Sequence, residues 1–241
     1  MPTRSITNDF SWLNGFGILT SISTIYYLAD NNGNRVYVLD DNWVILRYAN
    51  FISPANILVV GNFVYISSDD DSFYKMNSNL DVLVQYALDP GSRVRGIYFN
   101  STNNLIYLAA TFSHAVFRFD LDLNLYDSFS THSHFPYSIN GFKNKLYVGD
   151  STSGLILVMI NNIIVNTFNG CFGNSVAITM ISLDQNGFMA NVCEGSNSVY
   201  LYNVNGTYAN YKLSTETTPE YIGMDSKGRV FVVSQYQVTI Y

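Results

Sequence analysis

Charged side chains are scarce in this sequence. They make up 12% of its 241 residues, against roughly a quarter in ordinary globular chains. The balance is acidic, with 12 lysines and arginines against 18 aspartates and glutamates and a formal net charge of −6. Nucleic-acid binding draws much of its affinity from clustered cations that release counterions from phosphates. Here the basic residues are scattered, apart from Arg93 and Arg95, so nucleic acid is not an expected partner. Helical periodicity is lacking too: no stretch sustains apolar residues at i, i+3, i+4 and i+7. Long apolar runs are also missing. Residues 15–29 (GFGILTSISTIYYLA) follow Arg4 and superficially imitate a signal peptide or membrane anchor. The stretch is too short and too rich in Ser and Thr to span a bilayer, and no small-x-small cleavage site follows it. Neither a membrane span nor a leader is expected, which makes an intracellular location the simpler default. Cysteine is limited to Cys171 and Cys193, too few for a disulfide framework.

What is present points to strands. Aromatic residues reach 15% and hydrophobic residues 48%, and the Tyr, Phe, Val and Ile behind these figures suit a pleated, half-buried surface. One unit recurs along the chain. Its second strand reads Tyr26-Tyr27-Leu28-Ala29-Asp30, then Val64-Tyr65-Ile66-Ser67-Ser68, Ile106-Tyr107-Leu108-Ala109-Ala110 and Leu146-Tyr147-Val148-Gly149-Asp150. Weaker copies are Met189–Cys193 and Val230–Ser234. The anchors Tyr27, Tyr65, Tyr107, Tyr147, Ala190 and Phe231 lie 38 to 43 residues apart, the length of a four-stranded propeller blade.

Six copies fill the chain as a single domain, an all-β six-bladed β-propeller of four-stranded antiparallel blades. The blades are expected over approximately 13–50, 53–88, 92–130, 135–168, 174–212 and 218–241 with 1–10. The sixth copy supplies only three strands before Tyr241, while Thr3–Phe10 has no partner in the first. Adding that segment as the outer strand of the last blade would close the ring and remove open sheet edges, which invite aggregation. A monomer is expected.

The stretch Ala29-Asp30-Asn31-Asn32-Gly33-Asn34-Arg35-Val36-Tyr37-Val38 resembles the strand-loop-strand core of the NHL repeat, where an Asp and an Asn-Arg pair bracket the loop. Pro219–Val232 is similar to that repeat's proline-initiated inner strand and Asp-x-x-Gly turn. Phe135–Ile139, with Lys145–Asp150, is a third match. The resemblance implies a propeller and leaves its role open, because the fold hosts lyases, lactonases, receptors and scaffolds alike.

Candidate chemistry gathers where the loops between second and third strands meet the connections between blades, the face that carries the mouth of the central channel. All three histidines fall there: His114 in the loop of blade three, His132 and His134 in the connection to blade four. Neutral imidazoles suit zinc, and three make a catalytic-type shell with one open position. Lyases of this fold use a histidine-bound metal, but from separated blades, whereas two histidines here share one short loop. Carboxylates also collect on that face: Asp30, Asp69, Asp70, Asp71, Asp150 and Glu194. Calcium needs six to eight oxygen ligands. The calcium-dependent lactonases place a glutamate near the start of the chain, and no glutamate precedes Glu194. The run Asp69–Asp71 reads as a solvated turn, and Asp30 and Asp150 as caps of loop amides. No cofactor is therefore expected, with zinc or calcium as the metals that these residues could hold.

Cys171 precedes the inner strand of blade five and Cys193 ends its second strand, so antiparallel pairing would bring them to one end of the blade. A disulfide is geometrically reasonable there, and so is a pair of free thiols. No G-x-S-x-G elbow and no phosphate-cradling G-x-x-x-x-G-K-[ST] occurs, which leaves no nucleophilic triad or nucleotide loop. The preferred reading is a non-catalytic module that binds a protein or small ligand through the channel-mouth face, with Asp30, Arg93, Arg95, Phe112, Asp150 and Glu194 as anchors. The alternative is a metal-dependent lyase or hydrolase acting at the central channel.

Overall fold

The computed structural model describes residues 4–7, 10–20, 24–132, 134–171, 178–183, 187–193, 198–214, 218–224 and 230–241. Every regular element among the described residues is a strand, and no helix there is long and apolar enough to cross a membrane. After β1 (Arg4–Thr7), blade one holds β2 (Leu13–Thr20), β3 (Thr24–Asp30), β4 (Arg35–Leu39) and β5 (Ile45–Asn50). Blade two holds β6 (Pro54–Val60), β7 (Phe63–Ser68), β8 (Ser72–Asn77) and β9 (Val82–Ala87). Blade three has β10 (Val94–Asn100), β11 (Leu105–Ala110), β12 (Ala115–Phe119) and β13 (Leu125–Ser130). Blade four has β14 (Pro136–Phe142), β15 (Lys145–Asp150), β16 (Leu155–Ile160) and β17 (Ile163–Asn169). Blade five comprises β18 (Ile178–Leu183), β19 (Phe188–Cys193), β20 (Ser198–Asn203) and β21 (Tyr208–Ser214).

The sixth sheet runs β22 (Pro219–Met224), β23 (Val230–Ser234), β24 (Gln237–Ile240) and then β1 at its outer edge. β1 pairs antiparallel with β24, Arg4 facing Ile240 and Thr7 facing Gln237. The chain is a six-bladed β-propeller.

Alternation along the strands explains how the blades pack, since successive side chains leave opposite faces of a sheet. Tyr26 packs with Phe16, Trp43 and Phe231 toward blade six, while Tyr27 packs with Ile57, Val64 and Leu80 toward blade two. Among the described residues the buried apolar side chains fall into six clusters, one at each seam between neighbouring blades.

The turn between third and fourth strands supplies a second repeated device. The Oδ1 atoms of Asp40, Asn77 and Asp120 each accept two backbone amides of their own turn. Such side-chain bonds to the backbone favour turns over strands. Each turn then places an apolar residue at positive φ: Trp43 at 66°, Leu80 at 71° and Leu123 at 61°. All three are buried and plug the seam with the preceding blade. In blade five the turn carries Gly206 at φ 86°, and the Phe168 ring of blade four comes within 2.8 Å of where a Cβ would sit.

The anchor tyrosines reach across to these turns. Tyr27 donates to the Ser78 carbonyl at 3.4 Å, Tyr65 to Leu121 at 2.8 Å and Tyr147 to Val204 at 3.0 Å. Tyr107 departs from the pattern, because the corresponding turn of blade four is only Asn161 and Asn162. Its hydroxyl accepts instead from Asn103 Nδ2 of its own blade at 2.8 Å.

Candidate functional site

The inner strands share one irregularity at the same height. Pairing shifts between Leu13 and Gly15, Pro54 and Asn56, Val94 and Ile97, Pro136 and Ser138, Ile178 and Met180, and Pro219 and Tyr221. A bulge leaves its extra residue out of the ladder and re-aims its side chain. Asn14, Ala55, Arg95, Tyr137 and Glu220 are brought in this way to the mouth of the central channel, where Asn56 and Tyr221 join them. The free space at this constriction is only 10 Å³, room for about one water. Further along the channel a cavity of 340 Å³ opens between apolar residues such as Phe16, Ile57, Ile97 and Ile222.

Arg95 organises the mouth. It is buried, bonds Asp69 Oδ2 at 2.5 Å, and lies 5.3 Å over the Tyr137 ring. Burial pushes the Tyr137 phenol above its ordinary value, against the opposing pull of Arg95 and Arg93. Asp69 also accepts from Asn31 Nδ2 at 3.1 Å and lies 3.8 Å from Arg93. Two atoms of this network, Asp69 Oδ1 and Arg95 Nε, are buried with no hydrogen-bond partner. The neighbouring carboxylates diverge. Asp70 accepts from the Tyr74 hydroxyl, and Asp71 accepts the Gly91 and Arg93 amides. The run Asp69–Asp71 is a turn with Asp70 exposed at its centre; its three carboxylates hold three different neighbours and do not converge as calcium ligands would.

The rim between blades three and four carries an aromatic cluster. Phe112 is 53% exposed, with the Arg93 guanidinium 5.7 Å over its ring and Phe135 edge-on at 6.2 Å. His114 packs edge-on against Phe135 at 4.4 Å, and its Nδ1 lies 3.1 Å from the His134 carbonyl. His134 Nδ1 sits 2.6 Å from Asp150 Oδ2. Burial works to raise the Asp150 carboxyl. Hydrogen bonds from the Thr152 amide, His134, the Thr152 hydroxyl and Ser153 outweigh it and hold the group below the usual carboxylate range.

The sequence-based anchors thus separate. Arg93 and Phe112 are presented on the rim. Arg95 lies at the mouth but is turned onto Asp69. Asp30 and Asp150 are not exposed anchors: each is 1% accessible. Asp30 is consumed by the amides of Ser11, Trp12 and Gly33, because a buried carboxylate needs several donors to stay charged. Glu194 lies outside the described residues. His114 and His134 are adjacent, whereas His132 is exposed with its amide on Ser130 Oγ. No group of three His, Cys, Asp or Glu among the described residues is placed to hold a metal. Cys171 and Cys193 form a disulfide, with Cα atoms 5.7 Å apart. Sequence reasoning missed Tyr137, Glu220, Phe135 and Asn14. The signal for three of them was their place next to, or one step from, the proline that opens an inner strand.

No family model matches the sequence, and no curated protein matches it. Solved structures do resemble the fold. A streptogramin B lyase superposes with a TM-score of 0.73 at 13% identity, covering 98% of this chain and 96% of that one. A virginiamycin B lyase from Staphylococcus aureus gives a TM-score of 0.73 at 13% identity over 99% of this chain and 87% of the other. At such identity the likeness is one of fold.

Proposed function

We propose that the chain is a non-catalytic propeller of the NHL-repeat type that binds a protein segment or ligand on the rim of its channel-mouth face. One observation carries this reading: an exposed Phe112 is fixed between the Arg93 guanidinium and the Phe135 ring beside a nearly closed mouth. Aromatic and arginine side chains are the usual anchors of binding interfaces, and anchors already held in place lose little freedom on binding. The constricted mouth favours docking across the rim over entry of a substrate into the channel. Arg95 and Asp150 act behind this surface, Arg95 through Asp69 and Asp150 through His134. A photo-crosslinking residue at position 112 should capture a partner that the same residue at Thr102, on the opposite face, does not. Arg93→Ala should lower that yield by about fivefold. Equal capture from both faces, or none from position 112, overturns the reading.

A second reading, a metal-dependent lyase or hydrolase, is favoured by His134, whose imidazole is oriented by a buried carboxylate as a general base requires. The lyases that share the fold add to it. Incubation with virginiamycin B and a divalent metal, with His134→Ala as control, tests it. An unchanged antibiotic sets this reading aside for that substrate.

A further inference from the structure

The seam between blades three and four lacks the buried turn residue that plugs three of the other seams. Leu80 and Leu123 fill their seams from buried positions in the third-to-fourth-strand turns. The turn of blade four is cut to Asn161 and Asn162, both at positive φ, and offers no apolar side chain. A cleft of 480 Å³ results, on the face opposite the channel mouth. Small-ligand sites typically measure about 300–1,000 Å³.

The lining is basic although the protein is acidic. Arg118, Lys143 and Lys145 line the cleft, the Lys143 ammonium resting 5.2 Å over the Phe142 ring at its edge, in a chain with a net charge of −6. Arg118 is neutralised by a two-pronged pair with Asp127. Lys143 and Lys145 have no ion-pair partner among the described residues, and both are exposed. The placement of Lys143 is informative. Its φ is 56°, in a two-residue turn that matches the turn of blade two, where Gly61 has φ 58°. Glycine adopts this conformation freely, whereas a lysine is strained there. Such strain is retained mainly where the side chain serves a purpose. Around the lysines, the amides of Asn161 and Asn162 can both donate and accept hydrogen bonds, as hydroxyl groups require. The Tyr98 and Tyr107 rings, 5.9 Å apart, form an apolar wall.

We propose that this cleft binds a small phosphorylated polyol of the sugar-phosphate class. Lys143 and Lys145 take the phosphate by charge-assisted hydrogen bonds. The asparagine amides take the hydroxyls. The site is remote from the rim anchors, so the two proposals stand or fall separately.

Titration calorimetry at low salt with glucose 6-phosphate, inorganic phosphate and glucose tests it. Glucose 6-phosphate should bind once per chain, about tenfold tighter than inorganic phosphate, with glucose weaker still. Lys143→Gly should fold as well as the unaltered protein, since it restores the residue found in blade two, yet bind glucose 6-phosphate several-fold more weakly. The Lys143→Gly, Lys145→Ala pair should lose about tenfold or more. Absence of glucose 6-phosphate binding, or binding unaffected by the double substitution in a protein of unchanged melting temperature, overturns the proposal. Equal affinity for inorganic phosphate and glucose 6-phosphate overturns its polyol half.

Discussion

The carboxylate of Asp150 accepts hydrogen bonds from Thr152 and Ser153 in its own loop and faces His134 in the connection from the previous blade. In the folded chain this carboxyl is held below the ordinary aspartate value. The stabilisation it contributes is therefore complete above a pH of about 4 and disappears as the pH falls through the folded value. Asp150→Asn should cost about 1–3 kcal/mol near neutrality, the penalty for disturbing a buried, bonded group. Thermal melts at pH 7 and pH 3 check this: the gap between variant and unaltered protein should narrow at the lower pH, and a constant gap would show that the charge is not what matters. At this scale the sequence locates Asp30 and Asp150 at the ends of second strands. It also reads them as caps of loop amides, which the Gly33, Thr152 and Ser153 amides bear out; the partners from the preceding connections, the Ser11 and Trp12 amides and His134, are what the sequence does not reveal.

Among the elements, the end of the second strand is fastened to the preceding inter-blade connection by four different chemistries. Blade one uses Asp30 on the Ser11 and Trp12 amides, and blade two uses the Ser68 hydroxyl on the Ile52 carbonyl at 2.6 Å. Blade four uses Asp150 with His134, and blade five joins Cys193 to Cys171. The shared role is hidden in the sequence because Asp, Ser and Cys form no common pattern, whereas the anchor tyrosines repeat visibly. The bulges that build the channel mouth are hidden for a related reason: a bulge is a property of pairing register, and register belongs to two strands at once. The disulfide closes a loop with a sequence separation of 22. Replacing both cysteines by serine should lower stability by about 3 kcal/mol, read from denaturant unfolding. Intact mass should show two hydrogens gained on reduction. No mass change on reduction would mean that the thiols are free. Disulfides persist in oxidising compartments, so the bond also bears on where the chain resides.

On the scale of the whole molecule, six seams carry the core and one blade draws strands from both ends of the chain. Removing residues 1–7 would strip β1 from β24 and expose a sheet edge where Arg4 faces Ile240. Exposed edges recruit other edges. The truncated protein should melt at lower temperature and elute as a larger species in size-exclusion chromatography. A monomer of unchanged stability would show that β1 contributes nothing to the ring. The fold class was legible because its repeat length is written in the spacing of the anchors. The shortened turn of blade four was visible only as the pair Asn161-Asn162, with nothing in the letters to mark the cleft above it.

The pairing of β1 with β24 also has a consequence in time. A ribosome releases Arg4 well before Ile240, so the first blades can form while β1 still waits for β24, the strand that it pairs with. Contacts that span almost the entire chain form slowly, because loop closure precedes any gain from them. The nascent propeller is thus an open arc until β24 emerges, with its last seam as the vulnerable point for misassembly.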